Sequence, residues 1–245
     1  MIAKYQKAKL GDLDAVISAH GNAKGPVSGV VILCHGFGAP GRDLVPIAEE
    51  WYSANPDFED VRFVFPAAPL ELDPMYDARA WWEIDIERVQ QLMETGEYRE
   101  LRNSQPPGLA KCREMLERLI QEVCQEYGLT SQQVVVGGFS QGAMLSTDVM
   151  LHSAGSLGGL ICWSGSLINE PEWQESGSPK GTAGVVQSHG ESDPILPYGG
   201  AESLRELLEE KGYDVQFVTF AGQHAIPPEA LQAAAELVRR VCVCG

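Results

Sequence analysis

The sequence contains no apolar run long enough to cross a bilayer. Its continuous apolar stretches, such as Gly29 to Cys34 and Val134 to Val136, have the length of buried strands. Met1 to Lys7 is not followed by an apolar run either, so no signal peptide is expected. Basic residues are scarce, with 18 Lys+Arg against 34 Asp+Glu, a formal charge of −16. A body this negative repels phosphates, which argues against nucleic acid and against stable insertion into anionic membranes. Fixed-period repeats and low-complexity tracts are missing, and apolar residues run the whole length, which excludes intrinsic disorder. The six cysteines are scattered. Cys34 and Cys162 fall inside expected strands, where a thiol acts as a small hydrophobe. Cys242 and Cys244 form a CxC with no histidine or second cysteine pair nearby, so no metal site is expected, and a reducing cytoplasm is the simplest location.

What is present is 245 residues, 44% of them apolar, enough for the core of one domain spanning 1–245. Runs of strand length (Val30 to Cys34, Val61 to Phe65, Val134 to Val136, Leu160 to Trp163, Val185-Val186, Val215 to Val218) alternate with helical patterns. Leu109, Cys112, Leu116, Leu119 and Val123 recur at steps of three and four, after Pro106-Pro107 and before Gly128. Leu204, Leu207 and Leu208 mark a second helix, and Leu231, Ala234, Ala235, Val238 and Val241 a last one. Strands without polar interruption are covered on both faces, so the pattern predicts an α/β fold with a mostly parallel central sheet and helices on both sides. Lys4 to Ser18, with its Gly11-Asp12 turn, predicts an antiparallel hairpin at the sheet edge. Functional groups in such sheets gather on loops at the carboxyl ends of strands.

Gly138-Phe139-Ser140-Gln141-Gly142 sits at that position, directly after Val134-Val135-Val136 and before a segment able to start a helix. A serine presented on a sharp strand-to-helix turn needs glycine on either side to leave room for neighbouring chain. Serine is a poor nucleophile until a base takes its proton. Of the five histidines, His152 lies on the same helix about 18 Å along the axis and is excluded. His20 and His35 precede the serine. His35 reads as a brace for its own turn, and His189 as an organiser of the acid loop. His224 leaves a strand ending near Phe220; its position alone does not separate a base from a surface histidine. Asp193 leaves the strand holding Val185 and Val186, with Glu191 as a competing carboxylate and Asp148 disfavoured inside the nucleophile helix. The order Ser140, Asp193, His224 is that of α/β-hydrolases. Two backbone amides are expected to stabilise a developing oxyanion: that of Gln141, and that of Phe37 in His35-Gly36-Phe37-Gly38.

These strings, with Ala80-Trp81-Trp82-Glu83-Ile84-Asp85 and Asp193-Pro194-Ile195-Leu196-Pro197, resemble the serine carboxylesterases related to lysophospholipases and acyl-protein thioesterases, over roughly Gly29 to Val241. The resemblance implies an α/β-hydrolase fold and hydrolysis of carboxylic esters or thioesters, without metal or organic cofactor, the substrate being a small-molecule ester. Thioesterase members often carry an acidic residue after the HGxG turn, where this chain has Ala39-Pro40-Gly41. A small or medium acyl ester is therefore expected rather than protein-bound palmitate, with lysophospholipids and thioesters as further candidates. Residues 71–105 are expected to form a rim or lid. Trp81, Trp82, Met75, Ile195 and Leu196 are candidates to line an acyl groove, Trp82 reading equally well as packing. A peptidase of the same fold and an inactive hydrolase fold that only binds are the competing readings. Oligomeric state stays open, a homodimer included.

Overall fold

The computed structural model describes residues 4–19, 25–95, 97–103, 105–153, 157–177 and 183–244. Met1 to Ala3, on which the signal-peptide expectation partly rests, and His20 lie outside the described residues, as do positions 96 and 104 of the expected rim.

The chain opens with the hairpin β1 (Lys4–Leu10) and β2 (Leu13–Ala19), turning at Gly11-Asp12, both at positive φ. It continues through β3 (Gly29–Cys34), α1 (Val45–Ala54), β4 (Val61–Pro66), the short pair β5 (Leu70–Asp73) and β6 (Ala78–Ala80), α2 (Ile86–Thr95) and α3 (Leu109–Tyr127). Then follow β7 (Val134–Phe139), α4 (Gln141–His152), β8 (Gly159–Trp163), α5 (Glu170–Glu175), β9 (Gly184–Gly190), α6 (Tyr198–Glu210), β10 (Asp214–Phe220) and α7 (Pro228–Cys242). Eight strands form one sheet in the order β1-β2-β4-β3-β7-β8-β9-β10. The contacts β1·β2 and β2·β4 are antiparallel, and the remaining neighbours run parallel.

The two faces follow from the period of the strands. Val30, Ile32 and Cys34, with Val134, Val136, Leu160 and Cys162, point into a core shared with α3, α4 and α6. Val31, Leu33, Val135, Ile161 and Trp163 point the other way, onto α1 and α7. Central strands covered on both sides favour apolar residues at every position, which is why β3 and β8 read as unbroken runs, while β4 is interrupted only by the buried Arg62. The 3.6-residue pattern of α3 buries Leu109, Cys112, Leu116, Leu119 and Val123, and its carboxyl end closes on Gly128 at φ +67, whose N–H bonds to Cys124 O. In α4 every residue from Gln141 to Leu151 is buried, so this helix shows no polar face. Cys34 and Cys162 are buried free thiols, and burial pushes them up to about 12 and about 11.

Sheet order brings β3, β7, β9 and β10 to one edge of the molecule with their carboxyl ends aligned, as the register Cys34 to Gly138 and Phe139 to Trp163 shows. The helices α1, α2 and α5 and the pair β5–β6 were not legible as elements. In α1 only Ala48, Trp51 and Tyr52 are buried, too short a stripe to set a period.

Candidate active site

Ser140 stands between β7 and α4 at φ 54, ψ −116, a backbone conformation that costs roughly 1–3 kcal/mol for a residue with a side chain. Its N–H bonds to Trp163 O at 2.9 Å, holding the turn to the neighbouring strand. The flanking glycines act through space rather than through φ. A methyl group on Gly138 or on Gly142 would overlap the Cys34 carbonyl, so β3 can approach the turn only where both side chains are absent. This close approach lays the 35–39 turn against Ser140.

Asp193 lies just past β9 with its side chain fully buried. Its Oδ1 accepts the amides of Ile195 (2.8 Å) and Leu196 (3.0 Å). Its Oδ2 accepts His224 Nδ1 at 2.7 Å, and His189 Nε2 lies 3.3 Å away while donating to Leu196 O at 2.8 Å. Burial works against the charged carboxyl, but the donors from His189, His224, Leu196 and Ile195 outweigh it and hold Asp193 well below the usual carboxylate range. The acid and histidine loops are also tied to each other, Glu191 N bonding to Phe220 O and Ser192 N to Gly222 O, and the histidine loop is held to the end of β8 by Ser164 Oγ donating to Ala225 O. A Cβ on Gly190 would strike the Gly222 and Gln223 carbonyls, so glycine is required where these loops cross. Gly190 and Ser164 carried no sequence signal that would have singled them out. Glu191, the competing acid, is exposed, and Asp148 is turned into an ion-pair network with Arg113 (3.0 Å) and Trp173 Nε1 (2.7 Å). His152 donates to Asp148 O within that network, away from the serine.

His224 and Ser140 line one cavity of about 1620 Å³, and the His224 ring packs on that of Phe139 with centroids 4.7 Å apart. The Ser140 hydroxyl is in no hydrogen bond among the described residues. Phe37 and Gln141 also line the cavity, and neither amide is donated to an acceptor among the described residues. His35 is neutral by its bonding, since Nδ1–H donates to Gly36 O (2.8 Å) and Nε2 accepts from Ala68 N (3.0 Å); burial lowers its pKa.

The expected groove residues divide. Trp82, Ile195 and Leu196 line the cavity. Trp81 does not: it is 1% exposed, packed in the core, because its indole N–H is spent on His35 O at 2.9 Å. Met75 does not either, being 82% exposed in the turn between β5 and β6. The apolar lining that sequence reading missed comes from Ile84, Leu92, Leu101, Met144, Leu167 and Ile168. Leu92 and Leu101 belong to the 71–105 segment, whose 98–103 turn is held to α5 by a bidentate Arg102–Glu170 pair. Among the described residues no group of three His, Cys, Asp or Glu side chains could hold a metal ion.

A parallel sheet carrying a serine elbow after β7, an acid after β9 and a histidine after β10 defines the class, the α/β-hydrolase fold. Within it, the chain belongs to the phospholipase/carboxylesterase family, whose sequence model matches residues 15–242. It is 28% identical over 222 residues to acyl-protein thioesterase 1 of Gibberella zeae, covering 86% of this chain and 89% of that one. The corresponding protein of Neurospora crassa is 27% identical, covering 83% and 82%. Among solved structures, esterase PE8 superposes with a TM-score of 0.74 at 22% identity, covering 98% of this chain and 100% of that one. The Bacillus cereus carboxylesterase gives 0.68 at 18% identity, covering 94% of each. No helix among the described residues is long and apolar enough to cross a membrane.

Proposed function

We propose that the protein is a serine hydrolase of carboxylic esters and thioesters, acting through Ser140, His224 and Asp193. The observation that carries this reading is the 2.7 Å bond from His224 Nδ1 to a fully buried Asp193 at the mouth of the cavity that Ser140 lines. With Nδ1–H committed to the carboxylate, the Nε2 lone pair is left to take a proton. Ser140 Oγ attacks the acyl carbon, its proton passes to His224 Nε2, and the carbonyl oxygen becomes an oxyanion held by the N–H groups of Phe37 and Gln141. Collapse expels the alcohol or thiol, which takes the proton from His224. Water, deprotonated by the same nitrogen, then releases the acid and restores the serine. The serine–histidine bond is the one contact of this relay absent at rest, and such bonds commonly tighten only once substrate is bound.

The cavity exceeds the roughly 300–1,000 Å³ usual for small-molecule sites, and its apolar lining supports acyl chains of medium length or longer. The five groups assigned to this relay all belong to one chain, which supports turnover within a single subunit. We read residues 1–245 as one hydrolase domain with 71–105 as the rim of its site. The six free cysteines support a reducing, cytoplasmic location. Labelling with a fluorophosphonate probe and turnover of p-nitrophenyl butyrate test the reading. Both should be lost in Ser140→Ala while thermal unfolding stays near that of the parent chain; wild-type turnover in that variant would remove the serine from the mechanism.

A further inference from the structure

The side chain of Gln141 does something its backbone role does not require. It is completely buried and meets the chain within the rim segment, at Trp81 and Trp82. Its Oε1 accepts Trp81 N–H at 2.9 Å and its Nε2 donates to Trp82 O at 2.9 Å, so the carboxamide pairs with two consecutive residues as a neighbouring strand would. That same short segment is bound to the 35–39 turn at three points. Trp81 Nε1 donates to His35 O (2.9 Å), Gly38 N donates to Arg79 O (2.8 Å), and Arg79 N donates to Ala39 O (3.2 Å). From behind, Cys112 Sγ on α3 donates to Trp81 O at 2.9 Å. The rings of His35 and Trp81 lie 5.5 Å apart.

The two amides assigned to the oxyanion come from loops 104 positions apart in sequence, Phe37 after β3 and Gln141 at the start of α4. Each is the kind of loop-borne donor whose aim depends on what holds its backbone. We propose that the Gln141 carboxamide is a positioning residue. By clamping Trp81 and Trp82 it locks the 79–82 segment, and through that segment the 35–39 turn, so that both amides keep one geometry relative to Ser140. The proposal rests on the esterase reading and adds a part to it: an oxyanion site whose two halves are joined through a third piece of chain, residues 79–82. Trp81 is thereby assigned a place in the machinery despite lying outside the cavity. Its indole is the strut between the clamp and the turn. A donor displaced by a fraction of an ångström loses much of its interaction with a charge that exists only in the transition state, so the cost falls on kcat rather than on substrate binding.

Gln141→Met keeps the volume and removes both bonds, and Trp81→Phe keeps a buried ring and removes the strut. With p-nitrophenyl butyrate, Gln141→Met should lower kcat by about 10- to 100-fold and leave KM within about threefold, part of the roughly 10²–10³ that deletion of a whole oxyanion donor costs. An alkyl boronic acid, which adds to the serine as a tetrahedral anion, should bind more weakly by a similar factor. Trp81→Phe should do the same to a smaller degree, and the double variant should lose less than the product of the two, since both cut one tie. If Gln141→Met does not fold, Trp81→Phe alone carries the test through its ratio of boronate Ki to KM. Unchanged kcat and boronate affinity, or a loss confined to KM, would overturn the clamp. Loss of turnover in Ser140→Ala beside an unaffected Gln141→Met would remove this proposal alone, whereas retained turnover in Ser140→Ala would remove the esterase reading beneath it.

Discussion

Replacing Asp193 by asparagine probes the site at the point where its hydrogen bonds leave no slack. The carboxylate offers two oxygens to four groups: Oδ1 to the amides of Ile195 and Leu196, and Oδ2 to His224 Nδ1 and, more loosely, His189 Nε2. Asparagine has one acceptor oxygen and one NH2 group. If its oxygen stays on the two loop amides, the NH2 faces His224 Nδ1, formerly a donor at 2.7 Å. The ring escapes by moving its proton to Nε2, which removes the lone pair that should accept the serine proton. If the amide is flipped, its NH2 faces two backbone N–H groups and the acid loop must open. Either arrangement disables the base while Ser140 and the oxyanion amides persist. A loss in kcat of about 10³- to 10⁴-fold is expected, equivalent to roughly 4–5 kcal/mol, with KM near the parent value. Steady-state hydrolysis of p-nitrophenyl butyrate, normalised to sites titrated with a fluorophosphonate, measures it. A kcat within tenfold of the parent would refute the argument that Asp193 dictates the imidazole tautomer. Acid stability supplies an independent check. The Asp193 carboxyl is depressed in the folded state, so its contribution is present above the unfolded value near 3.9 and is lost as pH falls below it toward the folded value. Urea unfolding of the parent should therefore weaken between about pH 4 and pH 2 more steeply than that of the asparagine variant.

Gly142→Ala should destabilise the fold by about 3 kcal/mol or more, because the new methyl overlaps the Cys34 carbonyl on a strand that cannot recede; a urea midpoint equal to the parent's would show that β3 can move. Leu101→Trp narrows the cavity from the rim and should lower the octanoate-to-acetate ester rate ratio at least tenfold, while an unchanged ratio would put the acyl chain elsewhere. Arg102→Ala breaks the pair that holds the 98–103 turn to α5. It should cost at most about 1 kcal/mol in stability yet raise KM for long-chain esters, and a stability loss without a KM change would make the pair purely structural.

Several parts of the site were legible because each left a mark along the chain. The glycines around Ser140 had to be glycine for lack of room, and that need is written in five consecutive residues. Asp193 and His224 stand out by following segments that read as strands, around Val185-Val186 and Val215 to Val218, in the order serine, acid, histidine. The groove was misread where composition substituted for direction. Trp81 and Met75 are both large and apolar and lie near the same segment. One indole found a buried carbonyl and entered the core, while the methionine fell at a turn and faces solvent. The role of the Gln141 side chain is not legible in the sequence, because nothing in a single chain says that Gln141 bonds to Trp81 and Trp82, 60 and 59 positions away.

The alternation of strand and helix, the two-sided burial of the central strands and the order Ser140, Asp193, His224 can all be read along the chain, since they follow from local periodicity and from backbone constraints a few residues long. Only packing of the whole chain sets which strands are neighbours, how wide the cavity beside Ser140 is, and which groups tie the 35–39 turn to residues 79–82 and Gln141. Those outcomes depend on distances between segments remote along the chain, and such distances are set by packing the whole core at once rather than by any stretch within it.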